Sequence, residues 1–224
     1  MSKRIAAVSV DLDEIRCYAQ VHGLGAPEGS AAHAVYERCL PRFLNLFDAC
    51  NLRSTFFAVG LDLERARNRE LLSRVHRNGH ELANHSYGHR YELTRLSSEQ
   101  MREDIDRCSA AIEELCGQRP LGFRAPGYVL SDALVEVLKS AQMTYDSSVF
   151  PCASYYAAKL AVLGAMRLRG RKSQSIVDRP RVLRAPRAPY RMGQHYWQKG
   201  GGLLEIPVGV TRFQLPYIGT ALVL

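Results

Sequence analysis

Two histidines lie at a spacing that suits a metal site. His85 and His89 are four residues apart in the segment His-Ser-Tyr-Gly-His, and they can face one point if the backbone between them takes a helical turn. Two neutral imidazoles and one carboxylate suit a divalent cation such as zinc, and they leave positions open for water and substrate. A His-x-x-x-His pair alone is not specific, because many such pairs are simply surface residues.

The acidic partners come from Asp11-Leu12-Asp13, at the end of a predicted strand. Alternate residues of a strand share a face, so both carboxylates can point to one pocket. Two nearby acids can divide the work, one binding the metal and the other acting as general base. Taken singly, either aspartate is also typical of a helix N-cap or a turn.

A third candidate segment, Arg-Ala-Pro-Gly-Tyr, begins at Arg124. An arginine at a strand end can pair with a carboxylate and fix its orientation. The proline and glycine shape a tight turn whose amides can face an oxyanion, although a purely structural turn has the same composition.

These residues follow strands in a pattern where strands and helices alternate. Strands are predicted over 4–11, 54–59, 80–84, 121–124 and 143–146. Helices are predicted over 32–50, 62–77, 97–116 and 131–141. This alternation predicts right-handed βαβ units and a parallel sheet. Asp11, His85, Arg124 and Asp146 all fall at strand ends, where barrel enzymes gather their catalytic groups, so the pattern favours a (β/α) barrel over an open sheet.

The pattern changes after residue 151. A helix over 154–169 is followed by a basic, proline-rich stretch, and we interpret residues 152–200 as an insertion that ends at three glycines before a strand over 203–206. About six strands are predicted in all. That count leaves open a barrel that is cut short at its C-terminus.

Positive charge is concentrated in the insertion. The chain has a net charge of +8, and residues 167–191 hold nine basic side chains and one acid, Asp178, so this stretch alone accounts for the excess, nine minus one being eight. Such a stretch favours an anionic partner such as a phosphate or a membrane surface, with a solvated loop as the alternative. Few aromatic residues are interleaved with the basic ones and no recognised motif is present, so nucleic acid is not predicted as a partner.

The composition and the cysteines indicate in which cellular compartment the protein is expected. Hydrophobic residues make up 46% and charged residues 23% of the 224, which is enough to build a core. The six cysteines include no Cys-x-x-Cys pair, and free thiols in a reducing compartment are expected. The apolar N-terminal run is too short for a signal peptide, and no stretch is long enough to span a bilayer. We therefore expect a cytoplasmic protein.

In this order, the segments resemble the polysaccharide deacetylases of carbohydrate esterase family four, whose module is also called the NodB-type domain. The family pattern has an acidic pair after the first strand, then His-Ser/Thr-x-x-His, Arg-x-Pro, a further aspartate and a late Leu-x-Ile-His motif. The approach to the histidines over residues 79–86 is also similar, and the Asp-x-Asp form looks like the peptidoglycan-deacetylase-like and allantoinase-like branch. The resemblance covers residues 5–150 well and 203–218 loosely.

The resemblance implies one domain, 1–224, with the fold of a distorted (β/α) barrel of seven or eight strands. It implies that Asp13, His85 and His89 ligate a divalent metal, zinc in the first place, with cobalt or nickel as alternatives. The implied activity is hydrolysis of an N-acyl group, an acetyl group, on an amino sugar of a cell-surface polysaccharide or its precursor.

Catalytic roles follow from the same resemblance. Asp11 would be the general base and Arg124 would orient it. The backbone around Gly127 and Tyr128 would help to hold the oxyanion. Asp146 matches the acid that tunes the late histidine in the family.

Two departures from the family pattern affect these roles. Residues 146–149 read Asp-Ser-Ser-Val, without the tryptophan that often follows the acid, and residues 204–207 read Leu-Glu-Ile-Pro, without the late histidine. After His89, His195 alone remains, and its predicted loop position does not suit the role. Either the residue lies beyond this chain or another group serves as acid.

Other functions stay open at this stage. A related amide hydrolase, either allantoinase-like or a deformylase of lipid-linked sugars, is the first alternative. A non-catalytic carbohydrate-binding member of the family is the second. The basic insertion favours a phosphate- or lipid-linked sugar and peripheral contact with a membrane, while the oligomeric state is not predicted.

Overall fold

The computed structural model describes residues 7–25, 27–171 and 173–217. Strands in this part of the chain are β1 Ser9–Asp11, β2 Thr55–Ala58, β3 Glu81–Asn84, β4 Gly122–Phe123, β5 Tyr145–Asp146, β6 Tyr190–Met192 and β7 Lys199–Glu205. The α-helices are α1 Ile15–Val21, α2 Leu40–Ala49, α3 Ala66–Arg77, α4 Ser98–Cys116, α5 Asp132–Ser140 and α6 Ala153–Leu168. The first residues of the strand predicted over 4–11, and Lys172 of the basic stretch, lie outside the described residues.

The strands form one sheet in the order β1-β2-β3-β4-β5-β7-β6. Every neighbouring pair is parallel except β6 and β7, which are antiparallel. The register pairs Asn84 with Phe123, Phe123 with Asp146, and Asp146 with Glu205, so the carboxyl ends of β3, β4, β5 and β7 lie at one level. The predicted α/β class is confirmed, and seven strands fall within the range expected of the distorted barrel.

Two buried apolar clusters lie under the sheet and share α4. One joins β1–β3 to α2 and α3, and its largest members are Tyr36, Leu40, Phe47, Phe56 and Leu72. The other joins β4–β7 to α5, and its largest members include Phe123, Leu134, Tyr190, Tyr196 and Trp197. Because α4 contributes Cys108 and Ile112 to the first and Met101 and Ile105 to the second, it couples the two halves.

Several predicted helix ends are confirmed. Ser97 caps α4 by accepting a hydrogen bond from the Gln100 amide, and the Gln100 side chain reciprocates, which completes a capping box. Gly117 ends α4 with φ 72°, a left-handed conformation that glycine adopts without steric cost. Ser131 caps α5 through the Leu134 amide.

The helix predicted over 32–50 begins differently from expectation. Residues 35–39 form a π-helical turn, and the α-helical part starts at Leu40. Pro41 is the second residue of α2, and because proline has no N–H, one hydrogen bond to the preceding turn is missing where the π-helical turn meets the α-helix.

Residues 152–200, interpreted from the sequence as an insertion, contain a strand that was not predicted. This strand is β6, and Gly200, Gly201 and Gly202 continue β7 instead of ending the insertion. A Cβ at Gly200 would lie 2.4 Å from the Cα of Gly193, and one at Gly202 would lie 2.8 Å from the Met192 carbonyl oxygen. The glycines therefore allow β6 and β7 to approach closely at an irregular pairing.

Helix α6 confirms the helix predicted over 154–169 and packs mainly through its first half. Tyr156 is its one buried residue, whereas Leu160, Val162 and Leu168 are exposed. Within the described ranges, each helix falls short of the length and apolar character that a bilayer-spanning helix needs. All six cysteines are free thiols; Cys50 is exposed.

Candidate metal centre and its surroundings

The side chains of Asp13, His85 and His89 converge on one point at the carboxyl edge of the sheet. Asp13 Oδ1 lies 2.9 Å from His85 Nε2 and 3.2 Å from His89 Nε2. The three ligand atoms all lie within 4.8 Å of one another, and both histidines are buried. The structure thus brings together the three residues that the sequence predicted as ligands.

The positions of the donor atoms suit coordination of a shared cation better than hydrogen bonds among the three side chains. Asp13 Oδ1 and His89 Nε2 are buried and, although 3.2 Å apart, are not aligned for a hydrogen bond. Two atoms that each bind zinc at about 2.0–2.2 Å must lie within roughly 4.3 Å of each other. Carboxylate and imidazole donors at 2.9 and 3.2 Å meet that condition.

The charges of the three groups are strongly linked. Burial alone would raise the pKa of Asp13, but His89 and His85 lower it well below its usual range. Burial alone would lower the pKa of His89, but the Asp13 carboxylate raises it to about 9. The Asp13 carboxylate therefore favours a positive charge beside it, either a proton on an imidazole or a bound cation.

The loop that carries the histidines does not take the helical turn that the prediction assumed. Ser86 has φ 63° and His89 has φ 50°, both in the left-handed region. The Ser86 amide donates to Asn84 Oδ1 at 2.8 Å, and the His89 amide donates to Ser86 Oγ at 2.9 Å. These side-chain contacts hold a conformation that would otherwise be strained.

Asn84 and Asp104 position this loop, and neither was predicted from the sequence to do so. Asn84 is fully buried, and its amide donates to the Ile105 carbonyl oxygen at 2.9 Å and to Ser109 Oγ at 3.0 Å, which ties β3 to α4. Asp104 of α4 accepts hydrogen bonds from two loop amides, one of them that of Gly88 at 3.1 Å. The Asn-His dipeptide at the end of a buried strand could have identified Asn84 as a positioning residue. No feature of the neighbouring sequence distinguishes Asp104 from other acidic residues in helices.

Asp11 lies in a bonded arrangement with Arg124 and Tyr128. Arg124 Nη1 donates to Asp11 Oδ1 at 2.6 Å, and the Tyr128 hydroxyl donates to Asp11 Oδ2 at 3.1 Å. Arg124 is itself fixed by Ser147, with Nε donating to the carbonyl oxygen at 2.8 Å and Nη2 to the hydroxyl at 2.7 Å. The predicted contact between Arg124 and Asp11 is present, and the role of Asp11 as base stays a prediction.

The turn at Gly127 and Tyr128 has a left-handed backbone. Both residues have positive φ, 65° and 60°. The Tyr128 amide donates to the Ala125 carbonyl oxygen at 3.0 Å, so it is not available to an oxyanion in this structure. Tyr128 contacts the site through its hydroxyl, and the oxyanion role of the backbone around Gly127 and Tyr128 stays a prediction. A Cβ at Gly127 would lie 2.6 Å from the Tyr91 ring, which explains the glycine.

Asp146 faces a second buried acid, Glu205, on the neighbouring strand β7, two residues before Pro207, which occupies the position of the late histidine in the family pattern. Both side chains are fully buried. Asp146 accepts hydrogen bonds from the Ser148 amide at 3.0 Å and hydroxyl at 2.7 Å, and Glu205 accepts one from the Val149 amide at 3.0 Å. Burial raises the pKa of Glu205 well above its usual range and Asp146 raises it further, which favours the protonated form of Glu205.

His195 does not contribute to the site. It lies between β6 and β7, where its Nδ1 is 2.7 Å from Asp132 Oδ2 and its ring stacks on Trp197. This placement agrees with the prediction that its context does not suit a catalytic role.

Similarity to known proteins adds to this geometry. A family model described as polysaccharide deacetylase matches residues 32–145, about half of the chain. The peptidoglycan deacetylase of Helicobacter pylori is 26% identical over 152 residues, which are 66% of this chain and 51% of that protein. A peptidoglycan-N-acetylglucosamine deacetylase of Bacillus cereus is 33% identical over 101 residues, 45% of this chain and 46% of that protein.

The fold is shared with a solved structure. A crystal structure from Mycobacterium smegmatis, of a protein assigned to the polysaccharide deacetylases, superposes with a TM-score of 0.64 at 23% identity. It covers 91% of this chain and 58% of that chain. The present chain spans about half the length of the two curated relatives just described.

Proposed function

This chain belongs to the polysaccharide deacetylase family, and on that premise we propose that it is a metal-dependent hydrolase that removes an N-acyl group, an acetyl group, from an amino sugar. The observation that carries the proposal is the convergence of Asp13, His85 and His89 beside a carboxylate, Asp11, that is held by Arg124. The names of the peptidoglycan deacetylases it resembles support a cell-surface polysaccharide, or its precursor, as substrate.

Asp13, His85 and His89 would hold the cation. We propose zinc, since two imidazoles and one carboxylate match its preferred donors, with cobalt or nickel as alternatives. When bound, the metal would polarise the acyl carbonyl group and lower the pKa of a water molecule. His85 is prepared for this role, because its Nδ1 donates to the Arg124 carbonyl oxygen at 2.7 Å and leaves the Nε2 lone pair directed at the site.

Asp11 would take a proton from the attacking water. Its two oxygens each accept one hydrogen bond, from Arg124 and from Tyr128, which fixes the plane of the carboxylate. Each carboxylate oxygen of Asp11 still has a free lone pair that can accept a hydrogen bond from a water molecule. Arg124 and Tyr128 act as positioning residues. The hydrogen bonds of Arg124 to Ser147 hold this arrangement against the end of β5.

The proposal is tested by measuring metal content and acyl release together. The purified chain should release acetate from N-acetylglucosamine compounds, lose that activity on chelation and regain it with zinc. Asp11→Asn should keep the metal and lose turnover, whereas a non-catalytic carbohydrate-binding protein would show no turnover to lose. Ring opening of a ureide, or release of formate from a lipid-linked sugar, would instead identify a related amide hydrolase.

We also propose that the distal half of α6 contacts an anionic membrane surface. Leu160 and Leu168 are exposed, the latter by 90%, and the exposed Arg167 and Arg169 adjoin Leu168. Apolar side chains flanked by arginines suit the headgroup region of an anionic bilayer.

The membrane contact is tested by sedimentation with phosphatidylglycerol vesicles. Leu168→Ser should weaken this sedimentation. The control is Leu121→Ser, which changes an exposed leucine before β4 and should have no effect. Unchanged sedimentation, or a dimer that Leu168→Ser dissolves, would contradict it. The cytoplasmic location stays a prediction.

A further inference from the structure

We propose that Lys159 of α6 forms a subsite for an anionic substituent, a carboxylate or a phosphate, on the sugar whose acyl group reaches the metal centre. The inference rests on the proposed function, because it concerns the substrate of the same site. It assigns to the predicted insertion a direct part in substrate recognition.

Lys159 lies at the edge of the candidate site. Its Nζ is 3.4 Å from the Gly127 carbonyl oxygen and 3.8 Å from the position that a Cβ on Gly127 would occupy. The Tyr91 ring also borders that Cβ position, at 2.6 Å, and its centroid is 5.2 Å from that of His89. Tyr128, the next residue along, bonds to Asp11. Lys159 therefore contacts the turn whose next residue bonds to Asp11, and that turn also packs beside the ring that neighbours His89.

The ammonium group has spare capacity for a ligand. It can donate three hydrogen bonds, and its contact with Gly127 is long for one. Over residues 7–25, 27–171 and 173–217, no carboxylate oxygen lies within 4 Å of Lys159, whereas Lys139 on the surface pairs with Glu136. A half-buried lysine without an acidic partner is uncommon in proteins.

The groups around Lys159 do not neutralise it. The Tyr155 ring centroid is 5.7 Å from Nζ, a distance at which the ring attracts the cation without removing its charge. Asp178 is the acid that acts on Lys159 electrostatically, but it lies beyond ion-pair distance: its Oδ1 accepts hydrogen bonds from the Tyr196 hydroxyl and the Arg179 amide, and its buried Oδ2 has no partner among the described residues. A cation beside polar groups and aromatic rings suits an anion carried on a sugar.

The protonation of Lys159 is consistent with this role. Burial lowers the pKa of Lys159 to about 8, against a smaller raising effect of Asp178. The side chain is thus charged at neutral pH and loses its charge as the pH rises through that value. A bound anion would favour the charged form, so affinity for a charged sugar should fall above about pH 8.

Three probes separate the possible sources of the charge: N-acetylglucosamine oligomers are neutral, N-acetylmuramic acid carries a carboxylate, and N-acetylglucosamine 1-phosphate carries a phosphate. We expect the chain to prefer one charged probe, both in kcat/KM and in Kd by calorimetry. Lys159→Met should lower the ratio of charged to neutral kcat/KM by roughly tenfold or more. Lys159→Arg should retain the preference, and Lys139→Met is the matched control for removal of a lysine.

The outcomes are distinguishable. If Lys159→Met has the same ratio of charged to neutral kcat/KM as the wild type, and the same Kd for both charged probes, the subsite is overturned and the deacetylase proposal stays intact. Absence of acetate release from all probes overturns the proposed function, yet loss of calorimetric binding in Lys159→Met, with folding verified by circular dichroism, would still support the subsite. Loss of binding equally in Lys159→Arg and Lys139→Met would also contradict it.

Discussion

The Nδ1 atom of His85 donates a hydrogen bond of 2.7 Å to the carbonyl oxygen of Arg124. The side chain of the same arginine donates to Asp11 at 2.6 Å. One residue at the end of β4 thereby orients a predicted metal ligand through its backbone and the predicted general base through its guanidinium group. This shared support explains how strands β1, β3 and β4 can hold a two-part site in one geometry.

Arg124→Lys should separate these two functions of Arg124. The backbone carbonyl remains, so His85 keeps its orientation and metal affinity should change little. The planar donors to Asp11 and Ser147 are lost, and we expect kcat to fall roughly 10–100-fold. Steady-state kinetics and metal titration would be measured in parallel. Arg102→Lys, which alters an exposed pair with Asp106, is the control, and an equal fall in both variants would contradict the role of Arg124.

Asp13→Asn should weaken metal binding. The substitution removes the charge that both imidazoles face at 2.9 and 3.2 Å. Loss of a direct ligand should cost more than the roughly 10–100-fold typical of residues behind the ligands. Competition with a chromophoric chelator measures the affinity. Asp48→Asn, at the end of α2, provides a control acid outside the site, and wild-type affinity in Asp13→Asn would remove Asp13 from the ligand set.

Gly127→Ala should destabilise the fold more than Gly117→Ala. Both glycines have positive φ, 65° and 72°. A Cβ at Gly127 would lie 2.6 Å from the Tyr91 ring, whereas nothing lies within 4 Å of one at Gly117. Conformation alone should cost about 1 kcal/mol at either site, and the clash should add roughly 1–3 kcal/mol at Gly127. Urea unfolding measures the difference; equal losses would show that the Tyr91 ring moves freely.

Glu205→Gln should change how stability depends on pH. Because the folded-state pKa of Glu205 is raised, its proton stabilises the native state fully below about pH 4.5, and that contribution is lost as the pH rises toward the folded pKa. Glutamine has no acidic proton to lose, so the free energy of unfolding should decline less with rising pH in the variant. Urea titrations at several pH values test this. Parallel curves for the two proteins would mean that Glu205 is not protonated in the folded state.

Local patterns were sufficient where neighbouring residues determine the structure. The capping box of Ser97 and Gln100 and the left-handed Gly117 bound α4 as predicted, because both act within a single turn. The alternation of strands and helices likewise predicted the parallel sheet, and the family resemblance predicted that Asp13 and the two histidines form one ligand set.

Features that depend on distant contacts could not be predicted in the same way. The loop between the histidines is held by Asn84 and by Asp104, which is fifteen residues beyond His89 in the chain, and not by helical periodicity. Strand β6 is only three residues long and is formed by pairing with β7. The acid pair of Asp146 and Glu205 joins two strands separated by the whole insertion.

Anomalous diffraction from crystals grown with zinc tests the central claim most directly. The account predicts one strong zinc peak per chain, at about 2.0–2.2 Å from an oxygen of Asp13 and from Nε2 of both His85 and His89, and no such peak in crystals of Asp13→Asn. A peak located elsewhere, or none beside these three side chains at saturating zinc, would contradict it.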